Sequence, residues 1–383
     1  MAGLPSTGIE ARDPRTVTLF LCGDVMTGRG IDQILPNPSE PWLLEPCMNS
    51  ALGYVQAAEA VTGPLPRHVS FDYVWGDALN ELERVRPAAR IVNLETAVTA
   101  SPDAWPQKQI HYRMHPANVP CLNAGRIDCC ALANNHVLDW GRSGLEETLN
   151  ALHGAGIHTA GAGSDEAAAA APAIIDVSST TRVLVFGFAL KSSGVPREWS
   201  ATRERSGVNW LENLSSHSIQ AIARQISRHG HEGAIVVASI HWGGNWDFGI
   251  SRQQREFAHR LVDTAGVDLV HGHSSHHVKG IEVYQRKAIL YGCGDLLNDY
   301  EGIEGYESYR PELALMYFPT FDPQTGDLAS LTMTPMRTHH FRINRAAPEA
   351  AAWMAATVDH ECRKLGSRVT QQPDGRLALH WHT

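Results

Sequence analysis

The amino-acid sequence predicts an α/β fold, and three features of it do so. Short apolar runs such as 17–21 (VTLFL) and 234–240 (AIVVASI) read as buried strands. Longer segments with apolar residues at helical spacing separate them. Several runs end abruptly in a turn carrying an acidic residue, an asparagine or a histidine, as strands do when they feed loops at the carboxyl edge of a parallel sheet. A chain of 383 residues is long for one simple domain but fits a single elaborated α/β domain.

The elements follow in order. Residues 1–15 read as a flexible polar tail, 16–345 as one domain, and 346–383 as a C-terminal helix and tail. The strand 17–21 runs into Cys22-Gly23-Asp24. The stretch 36–70, rich in proline and glycine, reads as an inserted loop region with a short helix. A helix over 72–86 leads through Pro87 to a strand at 90–94, which ends in Glu95. A strand over 127–132 runs into Ala133-Asn134-Asn135-His136. Ser143 and Glu146 have capping-box spacing at the start of a helix that Gly154 and Gly156 stop. Strands at 157–160 and 182–189 flank a short alanine-rich helix (167–171), and 191–213 is irregular enough to be a lid. A helix over 215–229 precedes the strand 234–240, which ends in His241-Trp242-Gly243-Gly244. The helix 251–265 turns Phe257, Leu261, Val262 and Ala265 inward and stops at Gly266. The strand 267–270 ends in His271-Gly272-His273. A hairpin over 281–291, two strands within 312–345 and a helix over 348–365 complete the order, with no internal repeat.

Composition limits the function classes. With 43% hydrophobic and 19% charged residues the chain is that of an ordinary globular protein, which excludes extensive disorder. A formal net charge of −9 without a long basic run argues against nucleic acid as a partner. The seven cysteines include no CxxC pair, so they read as buried free thiols rather than a zinc site or disulfide framework. The first residues carry acidic groups and no apolar core of a signal peptide, and no run is long enough to span a bilayer. The expectation is a cytoplasmic protein without a membrane partner.

The 20 histidines are the departure from the ordinary. Asp24, Glu95, Asn135, His136, His241 and the 271–277 cluster (His271, His273, His276, His277) all lie within a few residues of a strand end, where residues distant in sequence converge. Carboxylates, an amide oxygen and imidazoles suit divalent ions such as Mn²⁺, Fe²⁺ or Zn²⁺ better than a thiolate-seeking metal, and Glu95 could bridge two of them. Each residue also has a plain alternative: Asp24 and Glu95 could cap turns, and His241 could pack against Trp242. Four histidines in seven positions are harder to explain by packing. The other histidines, His111 among them, read mostly as surface residues. The glycine loop after Asp24 lacks the lysine and hydroxyl of a P-loop.

Five segments carry a family resemblance: LFLCGDVMTGRG (19–30), VNLETAVT (92–99), ALANNHVLDWGRSGLEETLNALHGAGI (131–157), SIHWGGNWD (239–247) and HGHSSHHVKGIEVYQRKAILYGCGDLLND (271–299). The chain resembles the CapA family of poly-γ-glutamate capsule proteins, related to the calcineurin-like metallophosphoesterases. The resemblance implies a four-layer α/β/β/α sandwich of two mixed sheets with a dinuclear divalent-metal centre at one edge. By motif position it implies Asp24, Glu95, Asn135, His241, His273 and His276 as ligands, and His136 as a residue acting near the reacting group. Three positions depart from the pattern. Met26 stands where the phosphoesterases have a histidine, Ser274-Ser275-His276 replaces His-Pro-His, and Gly294-Asp295 replaces Gly-Asn. The departures favour one tightly held ion, or two of unequal affinity.

Two chemistries fit this equipment. Metal-assisted hydrolysis of a phosphoester or amide would use His136 to protonate the leaving group. Epimerisation at a Cα would need two acid/base groups on opposite faces, with His136 and Asp295 the candidates. The extra carboxylate and the expected cytosolic character favour the second, as in soluble relatives that epimerise a lasso-type precursor peptide. Hydrolysis, a poly-γ-glutamate-related activity and a non-catalytic assembly role stand as alternatives.

Overall fold

The computed structural model describes residues 13, 15–230 and 233–382. Most of the expected N-terminal tail (1–15) therefore lies outside the described residues. Among those described, two large mixed sheets pack face to face, and helices cover the outer face of each.

The first sheet has ten strands. Its centre is parallel: Val17–Val25 pairs with Ala89–Leu94, then Cys129–Ala131 and His158–Ala160 follow. On its other side Val17–Val25 pairs antiparallel with Leu313–Phe321, which pairs with Leu328–Thr338. The second sheet has seven strands, with Arg182–Leu190, Ala234–His241, Leu269–His273 and Lys287–Leu290 running parallel. No described helix is long and apolar enough to cross a membrane.

The central strands are apolar on both faces because both faces are buried. In Val17–Val25, Leu19 and Leu21 enter the core between the sheets, whereas Phe20 and Cys22 face the helices over the first sheet. In Ala234–His241, Ile235 and Val237 point between the sheets while Val236, Ala238 and Ile240 meet the helices Ser216–Ser227 and Arg252–Ala265. Period-two alternation thus divides one strand between two cores. Six of the seven cysteines are buried free thiols; Cys47 is exposed.

Local signals are answered with some differences. The helix read from Ser143 begins at Gly141, after Trp140, and Ser143 bonds Asp103 instead of capping it. The reciprocal capping box belongs to Ser251 and Gln254, at the start of Arg252–Ala265. The segment 191–213 holds two short strands, Gly207–Val208 and Trp210–Leu211. After the helix Pro348–Arg363, the residues read as a polar tail form the strands Ser367–Gln371 and Leu377–Trp381, which extend the first sheet. That helix places Met354, Val358 and Cys362 in the core between the sheets.

Two features fix the carboxyl end of Val17–Val25. Gly23 lies so close to the turn at Gly294 that a Cβ would stand 1.7 Å from the Gly294 carbonyl oxygen, so only glycine fits. Just beyond the strand, Arg29 is almost fully buried. It donates from Nε and Nη2 to the Asp299 carboxylate at 3.1 and 2.5 Å, and from Nη1 to the Tyr54 hydroxyl at 2.9 Å. Glu45 lies 3.5 Å away, and the rings of Tyr54 and Tyr112 sandwich the guanidinium at 3.8 and 4.0 Å.

Replacing Arg29 leaves Asp299 and Glu45 buried without their cation. Arg29→Met is expected to lower unfolding free energy by about 3–5 kcal/mol in denaturant melts. Arg252→Met, at an exposed helix pair, is expected to change it by less than about 0.5 kcal/mol.

Candidate metal centre

Strand register assembles the centre. In the first sheet Asp24 pairs with Asp295 across a parallel ladder; in the second, His241 pairs with His273. The ends of the two central ladders thus present a carboxylate pair and an imidazole pair toward each other. Asp24, His241 and His273 bring ligand atoms within 4.8 Å of one another, and so do Asp24, His276 and Asp295. Asp24 is common to both sets.

Short contacts tie the rest of the constellation to this core. Asn93 donates to Asp24 Oδ1 at 2.7 Å and to Glu95 Oε2 at 3.3 Å. Glu95 Oε1 stands 3.8 Å from both His136 Nε2 and His241 Nε2. Asn135 Oδ1 accepts from His241 Nε2 at 2.8 Å, and His241 Nδ1 faces His273 Nδ1 at 2.7 Å. His276 Nδ1 bonds Asp295 Oδ1 at 2.9 Å, and Asn298 donates to Asp295 Oδ2 at 2.9 Å. Ser274, between the two ligand sets, holds a φ of 101°, a strained value for a residue with a Cβ.

The buried, crowded carboxylates favour a positive charge beside them. Burial, and then the Asp295 charge, push the Asp24 carboxyl up to about 7. Burial and the Asp24 charge raise Glu95 well above the carboxylate range. Burial lowers His241 and His273 well below the ordinary imidazole value. Burial opposes protonation of His276 too, but Asp295 outweighs it and raises His276. Asp24 Oδ2 is buried without a hydrogen-bond partner. A divalent cation held by these residues would satisfy that oxygen and offset the crowded carboxylates, with the imidazoles of His241 and His273 as nitrogen donors. The donor set fits such an ion, and the two three-residue sets share one carboxylate, Asp24.

The expected residues therefore divide. Asp24, His241, His273 and His276 lie in the two donor sets. The carboxylate shared between them is Asp24, whereas Glu95, expected to bridge, leans on Asn93 and the two imidazoles. Asn135 reaches the centre through His241. Asp295, expected as an acid/base group, belongs to the second set with both oxygens engaged. His271 is bonded to the Cys22 carbonyl and Ser239, and His277 to the Val278 carbonyl, and neither lies in the two donor sets. His111, expected at the surface, is buried.

His136 lies beside the donor sets. Its Nδ1 meets Asp139 Oδ2 at 2.7 Å, and Tyr112 N–H donates to the same oxygen at 2.6 Å. Lys108 Nζ stands 2.5 Å from Asp139 Oδ1. Burial and then the Lys108 charge hold His136 well below its ordinary value, which favours the neutral ring. Asn93, Asp139 and Lys108 escaped sequence reasoning. Asn93 shares a strand face with Glu95 at i, i+2, and Asp139 follows His136 by three residues, so both carried a spacing signal. Lys108 carried none.

A family profile described as bacterial capsule synthesis protein PGA_cap matches residues 18–300. The chain is 46% identical over 370 residues to a probable polyglutamine synthesis accessory protein of Mycobacterium tuberculosis, covering 96% of this chain and 97% of the relative. It is 24% identical over 357 residues to the PGA biosynthesis protein CapA of Bacillus subtilis, covering 93% and 80%. Among solved structures it is similar to a phosphatase from Mycoplasma pneumoniae, at 12% identity and a TM-score of 0.44, covering 84% and 94%.

The Asp24 shift has a sign. Its folded pKa, about 7, lies above the ordinary carboxyl value of 3.8, so its contribution to stability is present at low pH and is lost as pH rises through about 7. A divalent ion reverses that loss by binding the ionised form. The gain in Tm on adding Mn²⁺ or Zn²⁺ to chelator-treated protein is therefore expected to grow between pH 5 and pH 8, roughly the span of that titration. Asp24→Asn is expected to abolish the gain, and Asp295→Asn to halve the bound metal measured by elemental analysis.

Proposed function

The chain belongs to the PGA_cap family of bacterial capsule synthesis proteins, and on that premise we propose that it is a divalent-metal-dependent hydrolase of amide bonds in a glutamate- or glutamine-based polymer. The names of the relatives, polyglutamine synthesis accessory protein and PGA biosynthesis protein, supply the polymer. In such a chain the backbone linkages are amides.

One observation carries the reaction class: an oriented imidazole–carboxylate pair outside both donor sets, His136 with Asp139, stands beside them. Asp24, His241, His273, His276 and Asp295 would hold the ions, which supply Lewis acidity to the scissile carbonyl. Asp139 fixes the ring of His136 through Nδ1 and turns Nε2 toward Glu95 and the centre. A neutral His136 takes a proton from the attacking water and returns it to the leaving nitrogen, without which an amine departs poorly. Cα epimerisation needs a second proton-transfer group opposite the first. Asp295 is a poor candidate for it, because it belongs to the second donor set. The lasso-peptide reading therefore loses to hydrolysis.

Metal-loaded protein is expected to shorten poly-γ-glutamate, seen as a mobility shift on gels with release of new amino groups. His136→Gln is expected to reduce kcat by about 10²–10⁴-fold while bound metal stays the same. Turnover of a chromogenic phosphodiester without polymer shortening would move the assignment to phosphoesters. Incorporation of Cα deuterium without cleavage would restore epimerisation.

A further inference from the structure

Lys108 stands outside both donor sets, between the short strands Ala97–Val98 and Arg113–Met114, yet its ammonium reaches the proton-transfer pair. Nζ is 2.5 Å from Asp139 Oδ1 and 3.0 Å from His136 Nδ1, and it lies 5.6 Å from the centre of the Trp199 ring. The Asp139 side chain is fully buried and that of Lys108 is 16% exposed. Asp139 Oδ2 is taken by His136 Nδ1 and the Tyr112 N–H. Oδ1 has no hydrogen-bond partner among the described residues, and the Lys108 ammonium meets it as an ion pair.

We propose that Lys108 is a positioning residue for His136, acting through Asp139. The inference rests on the proton-transfer role assigned above to His136. The terminal torsion of an aspartate is soft, so a carboxylate held by one oxygen can swing. The Lys108 charge holds the second oxygen by an ion pair, leaving Oδ2 as the acceptor for Nδ1–H. That bond selects the tautomer whose Nε2 lone pair faces Glu95, at 3.8 Å. An ammonium only donates, and a donation to Nδ1 would put the ring proton on Nε2 instead. An ionised carboxylate only accepts, so the 2.7 Å contact with Asp139 takes the proton on Nδ1, and the ammonium 3.0 Å from Nδ1 then acts on the carboxylate rather than the ring. Lys108 thus keeps the carboxylate in place without displacing the ring proton.

Long-range ¹⁵N–¹H correlation spectra of the full-length, histidine-labelled protein at neutral pH test this directly, with His136 assigned from the signal absent in His136→Gln. Wild type and Lys108→Arg are expected to show one neutral tautomer with the proton on Nδ1. Lys108→Met is expected to show a tautomer average, together with a loss in kcat on the polymer of roughly tenfold to a hundredfold at little-changed KM. Lys108→Gln serves if the methionine variant does not fold, as judged by near-ultraviolet circular dichroism. A single Nδ1–H tautomer retained in the folded methionine or glutamine variant overturns the proposal, whatever the turnover. If wild type cleaves no polymer, the hydrolase reading fails, and the tautomer measurement still decides the role of Lys108.

Discussion

Three buried carboxylates crowded at the ends of strands constrain everything else in this protein. Asp24, Glu95 and Asp295 are at most 1% exposed, and one oxygen of Asp24 has no partner. Burying like charges together is among the most expensive things a fold can do. The surrounding structure therefore has to be rigid enough to prevent relaxation and must leave a place for positive charge. His241 and His273 are held toward the neutral form by their own burial, so these two do not supply that charge. They supply nitrogen donors.

Rigidity comes from several directions. The parallel ladders fix Asp24 against Asp295 and His241 against His273 by register alone. Gly23 allows the first strand to touch the turn at Gly294, and Arg29 ties the loop beyond it to Asp299. Ser193 contributes at the second sheet, donating to the carbonyl of His241 at 2.7 Å. These contacts act on backbone or on the loops next to the ligands, so side-chain positions follow from packing rather than from the ion. Preorganisation of this kind lets a site bind and act without first rearranging.

Much of this was legible in the sequence, for physical reasons. Apolar runs such as Ala234–His241 declare themselves because both faces are buried, and polar residues at their ends declare themselves because buried strands tolerate few of them. The resemblance placed Asp24, His241, His273 and His276, all of which the fold brings together. Sequence could not say which carboxylate is shared, since that depends on how the two sheets face each other. It also read too much into Ser143, whose spacing to Glu146 imitates a cap although the helix starts earlier at Trp140 and Gly141. Lys108 was invisible because it comes from an irregular segment, and its meaning lies in contact with residues 28 and 31 positions later. The strands after the C-terminal helix were missed because they are short and mostly polar.

Those late strands have a consequence for solubility. Without them, Leu328–Thr338 would present the free edge of a long sheet, with unpaired backbone donors and acceptors beside Leu331 and Met333. Such an edge is a template for another chain. Leu377–Trp381 pairs with it, and the outermost position passes to Ser367–Gln371, where Arg368, Thr370 and Gln371 face solvent. A sticky rim is thereby exchanged for a short, charged and hydroxyl-bearing one, which discourages sheet-to-sheet association between molecules.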